Sequence, residues 1–256
     1  MTDTSTIAVD MEKASAALLE RDYLTCELYA ERALTEARRL ESWDDYARIL
    51  MPLQESRRQR RMIAAEGWMI FGPERVQTVL DSLAASGPAP GPKPYSSAGK
   101  QPGEIYAAQI VVTAPLGAPE ARQIWKEAVR RRLWIEVLLA EGSGPSRTVR
   151  SWRDREIAAS ITAPEGCPIG SWLEPEQAVS QGKTSISPSA WFQDAAETLG
   201  DAAVAMQAER SSSVAKLDRL AQAIDAVPDH EILHQRLADV ARDLHRLGDL
   251  SDSSPS

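Results

Sequence analysis

Reactive side chains are scarce in this chain. Among its 256 residues there are 3 histidines and 2 cysteines. Cys26 and Cys167 lie far apart with no CxxC spacing, which argues against a disulfide framework and a thiolate metal site, so both read as small apolar fillers or bystanders. His230, His234 and His245 all fall in one C-terminal stretch, and no G-x-S-x-G occurs, so no nucleophile and histidine arrangement is supported. No run approaches the roughly 18–20 apolar residues of a membrane span. The opening MTDTSTIAVD has neither a basic n-region nor an apolar h-region. These absences lead to the expectation of a cytoplasmic protein without a membrane partner.

What the chain does contain is enough apolar residue, 43%, to build a real core in one large domain or two small ones. Its net charge of −8 is unevenly spread. Residues 1–42 carry 5 Lys/Arg against 9 Asp/Glu, and residues 190–256 carry 6 against 12, so the middle is net positive. Within that middle, SRRQRR (Ser56–Arg61) and Arg130–Arg132 are basic runs. If residues 53–64 form a helix, Arg57, Arg58, Arg60 and Arg61 spread around it, and four arginines cannot all pair with the local glutamates. These four are the candidate partner-binding residues. Because the whole chain is acidic, a protein partner is expected before a nucleic acid.

From Met11 to Leu40 apolar residues recur at helical spacing: Met11, Ala14, Leu18, Cys26, Ala30, Ala33, Ala37 and Leu40. The stripe loses phase at ERDY (Glu20–Tyr23), which predicts two antiparallel helices joined by a tight turn. RDYLTCELYAERAL (Arg21–Leu34) resembles the turn and second helix of a tetratricopeptide repeat, with Cys26, Ala30 and Ala33 where that family has small residues. LAQAIDAVPDH (Leu220–His230) is similar to the last helical turn and closing proline of such a repeat, although Lys216 stands where a small residue is expected. The resemblance implies helical pairs that need neighbours to bury their faces. The two ends are therefore expected to pack together or onto the centre. Trp43–Ala65 is again helical, with a kink or restart expected at Pro52 and a C-cap at Gly67.

Between the ends the period changes. WMIF (Trp68–Phe71), IYAAQIVVT (Ile105–Thr113), WIEVLLA (Trp134–Ala140) and IAASIT (Ile157–Thr162) are short, β-branched runs bounded by Gly and Pro, which predict strands. Helices are predicted from Pro73 and Pro119, each a suitable first-turn proline. Strand, helix and strand from Ile105 to Ala140 fit one βαβ unit. In residues 86–103, 12 of 18 are Gly, Pro or Ser, which predicts a flexible loop. Trp125 and Trp134 read as core, whereas Trp152, Trp172 and Trp191, in or beside loops, read as anchors.

Two motifs carry possible chemistry. DHEILHQRL (Asp229–Leu237) contains H-E-x-x-H, the two imidazoles and glutamate of a zincin. The position of a metzincin third ligand is Val240, no glutamate follows His234, and His245 would sit about 16 Å away along a straight helix. A helix entrance, with Asp229 as N-cap and Glu231 in the first turn, accounts for the same residues. GKT (Gly182–Thr184) lacks the P-loop glycine, its place being Gln177. TAPLGAPEA (Thr113–Ala121) leaves a strand and enters a helix, where open α/β folds bind ligands.

The sequence thus predicts a mixed α+β fold. Helical-repeat-like regions at 1–66 and 190–248 flank a small, partly parallel α/β layer at 67–189, and residues 249–256 form a disordered tail. The expected function is a non-catalytic interaction or scaffold protein with no cofactor. A second reading is a small-molecule binder or enzyme using Thr113, Gly117 and Glu120 at the sheet edge, and a third is a zinc-dependent hydrolase through His230 and His234.

Overall fold

The computed structural model describes residues 4–85, 106–142, 146–154, 156–162, 188–207 and 213–252. The Pro/Gly/Ser-rich segment 86–103, Cys167, Trp172, the 182–184 motif and residues 253–256 lie outside them. The fold is mixed, with eight helices and a five-stranded sheet among the described residues. It divides into two compact units, Met1–Gln59 with Ala203–Ser256, and Arg60–Ala202.

In the first unit, α1 (Thr4–Leu19) and α2 (Tyr23–Arg39) form the expected antiparallel hairpin. Its seam is made of small side chains. Ala14, Cys26, Ala30, Ala33 and Ala37 are fully buried, so the two backbones approach closely. α3 (Trp43–Ala65) follows and contributes residues 43–59 here. The turns on either side of α2 are built alike. Arg21 (φ 60°) and Glu41 (φ 54°) each adopt the left-handed conformation just past a helix end. The next amide in each case, of Asp22 or Ser42, donates back to the carbonyl of Ala17 or Ala37 at 2.8 and 2.9 Å. Polar side chains then open the following helix: Asp22 accepts from the Thr25 amide at 3.2 Å, and the Ser42 hydroxyl donates to Asp45 at 2.8 Å. α3 runs unbroken through Pro52, so of the kink or restart expected there the restart does not occur.

The C-terminal part of this unit holds α7 (Val214–Ala226) and α8 (Glu231–Asp252), a second helical hairpin. Ser213 caps α7 by accepting from the Lys216 amide at 3.2 Å. The helix α8 continues to Asp252, so residues 249–252 belong to it and not to a tail. Its first turn begins one residue later than expected, which moves the cap position from Asp229 to His230. The chain ends pack together: Arg38 of α2 makes a bidentate pair with Asp218 of α7 at 2.8 and 3.0 Å.

In the second unit, β1 (Trp68–Phe71), β2 (Ala107–Thr113) and β3 (Trp134–Glu141) are parallel, and β4 (Ser146–Arg150) and β5 (Ala158–Thr162) extend the sheet antiparallel in the order β1-β2-β3-β4-β5. The pleat sends alternate residues to opposite faces. Ile70, Ala108, Ile110, Val112, Ile135, Val137 and Leu139 share a core with α4 (Pro73–Ala85) and α5 (Ala118–Arg131). Both crossovers advance in the same direction and lie on the same face, as connections of one hand require. The opposite face receives Trp191 of α6 (Pro188–Met206), whose ring lies 5.4 Å from that of Phe71; its neighbour Phe192 is buried too. Trp191 is thus an interior residue of a helix. Every residue of β2 is buried, as expected of a central parallel strand covered on both sides.

Sequence reasoning missed β4. Its SRTVR carries two arginines, yet Arg147 and Val149 point inward while Thr148 is half-buried, an alternation in which the arginines obscure the β-branched signal.

Gly67 is needed for a reason other than the C-cap expected of it. A Cβ there would stand 2.0 Å from the Ala107 carbonyl oxygen, so only glycine lets α3 turn into β1 against the neighbouring backbone. Gly117, by contrast, has extended backbone (φ −154°) and open space to 3.7 Å. Gly67→Ala is expected to destabilise the second unit by several kcal/mol, about 3 or more, and Gly117→Ala by less than about 1 kcal/mol; denaturant unfolding compares them. At Glu41, exposed and left-handed, glycine removes a steric cost of about 1 kcal/mol. Glu41→Gly should raise Tm by roughly 1–3 °C, whereas Glu41→Ala, which keeps its Cβ, should not.

Candidate functional site

Arg57 has the densest set of charged partners in the first unit. Its side chain is 2% exposed, and a buried guanidinium is stable only when its donors meet acceptors. Nε donates to Glu27 at 3.0 Å, Nη2 to Glu31 at 2.9 Å, and Nη1 to the Pro228 carbonyl at 3.4 Å, with Asp225 at 3.9 Å. One side chain on α3 therefore joins α2, the end of α7 and the turn before α8. Around it lie Ser56, whose hydroxyl donates to the Leu53 carbonyl at 2.9 Å, and Cys26, whose thiol donates to the Pro52 carbonyl at 3.7 Å. Burial pushes the Cys26 thiol up to about 11 and the buried Tyr46 phenol above its usual range. Cys26 is therefore an inert filler, as its spacing suggested. The hydrogen-bonded Arg38 guanidinium holds the Asp218 carboxyl below the ordinary range.

The four arginines do not form a free basic patch. Arg60 is buried, pairs with Glu136 at 2.7 Å and lies 4.6 Å from the Trp125 ring centre. Arg61 reaches Glu197 at 2.9 Å and the Gln193 carbonyl at 3.0 Å. Arg58 remains exposed and pairs with Glu55 one turn away at 3.0 Å. The reading of these residues as a partner-binding surface is corrected at Arg57 and Arg60, which hold the interior together. Their carboxylates come from residues 27, 31, 136 and 225, distances along the chain that no local pairing argument reaches. In the second basic run, Arg130 pairs with Glu127, and Arg131 is buried with its guanidinium on the Leu83 carbonyl.

The zincin pair is buried as well. His230 is 2% and His234 1% exposed, Glu231 at the helix start is exposed, and His245, about three turns beyond His234, is exposed as well. Among the described residues no group of three or more His, Cys, Asp and Glu side chains is placed to hold a metal. A hydrolytic zinc needs an open coordination position for water and substrate, and these imidazoles face the core. The zinc reading is withdrawn.

The sheet edge also arranges itself differently from a ligand loop. Thr113 is buried at the end of β2, and the Gly117 amide donates to the Glu120 carboxylate at 2.7 Å. The acid thus occupies a donor that a phosphate would use and places a negative charge at the helix entrance. Glu74 stands likewise in the first turn of α4. At the start of α5 this edge therefore already carries an anion of its own. Nearby, Trp125 and Trp152 meet at 5.9 Å, and the Arg153 guanidinium lies 4.5 and 4.8 Å from their ring centres. Trp152 therefore anchors its loop, as expected of it. No family model, curated protein or solved structure matches the chain.

Removing Arg57 leaves Glu27, itself 8% exposed, with a buried charge to compensate. Arg57→Gln is expected to cost about 3–5 kcal/mol and Arg58→Gln less than about 0.5 kcal/mol, measured by urea unfolding.

Proposed function

We propose that the chain is a non-catalytic protein-protein interaction or scaffold protein whose recognition surface lies on the helical first unit. The observation that carries this reading is the construction of α1 to α3. Two successive turns of one design and a seam of fully buried small residues support the reading of a helical stack like that of tetratricopeptide repeats, an architecture whose stacked helices present extended binding surfaces. Large apolar side chains stand out on those helices: Leu19 is 86%, Met51 76% and Leu28 53% exposed. The ionisable side chains that suggested chemistry are engaged in capping and interior pairing, which favours recognition over catalysis.

The test combines a ligand screen with partner capture. In a thermal-shift screen of nucleotides, sugar phosphates and divalent metals, no compound is expected to raise Tm by more than about 1 °C, since only a ligand of the folded state stabilises it. In cross-linking from native-host extract, a protein partner should attach to α1 to α3. The variant Leu28→Glu/Met51→Glu should keep its Tm within about 2 °C but recover that partner at least about tenfold less well, a loss of about 1.4 kcal/mol. A several-degree shift with a small molecule, or unchanged recovery by the variant, would overturn the reading.

A further inference from the structure

We propose that His234 is an acid-sensitive latch: in acid its protonation releases α8 from the Arg57 junction of the first unit while the α/β unit stays folded. The inference starts from the tautomer. His234 Nδ1 lies 3.1 Å from the His230 carbonyl oxygen. A carbonyl only accepts, so Nδ1 carries the proton and Nε2 is a bare lone pair. That nitrogen is buried and has no hydrogen-bond partner among the described residues. Neutral imidazole tolerates this position, because an unused acceptor is a small defect. Protonation does not, since it creates an N–H with nothing to receive it and a second positive charge beside the Arg57 guanidinium.

The charged groups facing the junction are Glu27 and Glu31 on α2, Asp225 on α7, Asp229 in the turn and Arg57 itself on α3, with the His230 ring beside them. Three of the carboxylates are directed at Arg57. Burial, with Arg57 adding to it, pushes the His234 imidazole down to about 4 from an ordinary 6.5. A lowered histidine value means that the unfolded or opened form takes up the proton first. The stabilisation is fully present above about pH 6.5 and is lost progressively as pH falls toward 4. The helix α8 that carries His234 also buries Leu233, Leu237 and Val240 along its inner face, so release of the latch bares an apolar helix face.

Hydrogen exchange on the full chain tests the proposal. Between pH 7.5 and pH 5, after correction for intrinsic rates, the opening constant of the α8 amides is expected to rise about 30-fold, with β2 unchanged. His234→Gln should exchange at pH 7.5 like the parent and lose this rise. An α8 response below threefold, an equal response in β2, or the full rise persisting in His234→Gln overturns the latch. Should the variant fail to fold, titration of the assigned His234 ring resonance in the unaltered chain decides instead. A midpoint below about 5.5 supports the proposal, and one at or above it overturns it.

Discussion

A guanidinium cannot remain in a protein interior alone, and this constraint organises the helical unit. Arg57 is almost wholly buried, so its donors must be met by acceptors brought from elsewhere, and they arrive from α2 and from the turn between α7 and α8. The desolvation cost of one buried charge is several kcal/mol, which makes a buried pair a poor source of net stability but a strong selector of arrangement. A packing that left α7 and α8 elsewhere would take away the Pro228 carbonyl and Asp225 and leave Arg57 with the α2 carboxylates alone. The union of the two chain ends into one unit follows from this as much as from the alanine and leucine seams.

The α/β unit rests on a different requirement. A parallel strand covered on both faces needs two separate layers; the sheet has α4 and α5 on one side, and on the other Trp191 of α6 meets Phe71 of β1 and Arg60 of α3 meets Glu136 of β3. The two faces are chemically unlike. One has an aliphatic centre edged by Trp68 and Trp152, and the other admits Gln109 and Glu136, which share a register in β2 and β3, with Arg60 answering Glu136. Arg57 and Arg60 are thus matched by carboxylates distant in sequence, Glu27 and Glu136, while the buried Arg131 pairs with Glu127 one turn away and with the Leu83 carbonyl.

The same economy explains why the motifs with chemical promise have none of the expected geometry. Glu120 and Glu74 are first-turn acids that complement helix dipoles, and the two histidines are a helix entrance packed inward. A motif specifies residue types at a spacing; chemistry also requires exposure, a third ligand or an open amide. Here those further conditions are set by neighbouring helices, and they are not met.

Periodicity and turn chemistry were sufficient to locate α1 to α5 and the strands β1, β2, β3 and β5, because apolar spacing records which face of an element is buried whatever covers it. Local steric rules also placed Pro73 and Pro119 in first turns. Three things lay beyond such reasoning. β4 is hidden by its arginines, Trp191, read as lying in or beside a loop, sits inside α6, and the arginines of Ser56–Arg61 have local glutamates that do not reveal their distant partners. Sequence neighbours along a helix are fixed by its pitch, so local pairs such as Arg58 with Glu55 can be read directly. The sequence alone therefore determined the elements and their apolar faces. Only the tertiary structure decided which charges are interior, because Glu27, Glu136 and Asp225 become neighbours of arginines through chain return, and burial, unlike spacing, is a property of everything packed around a residue.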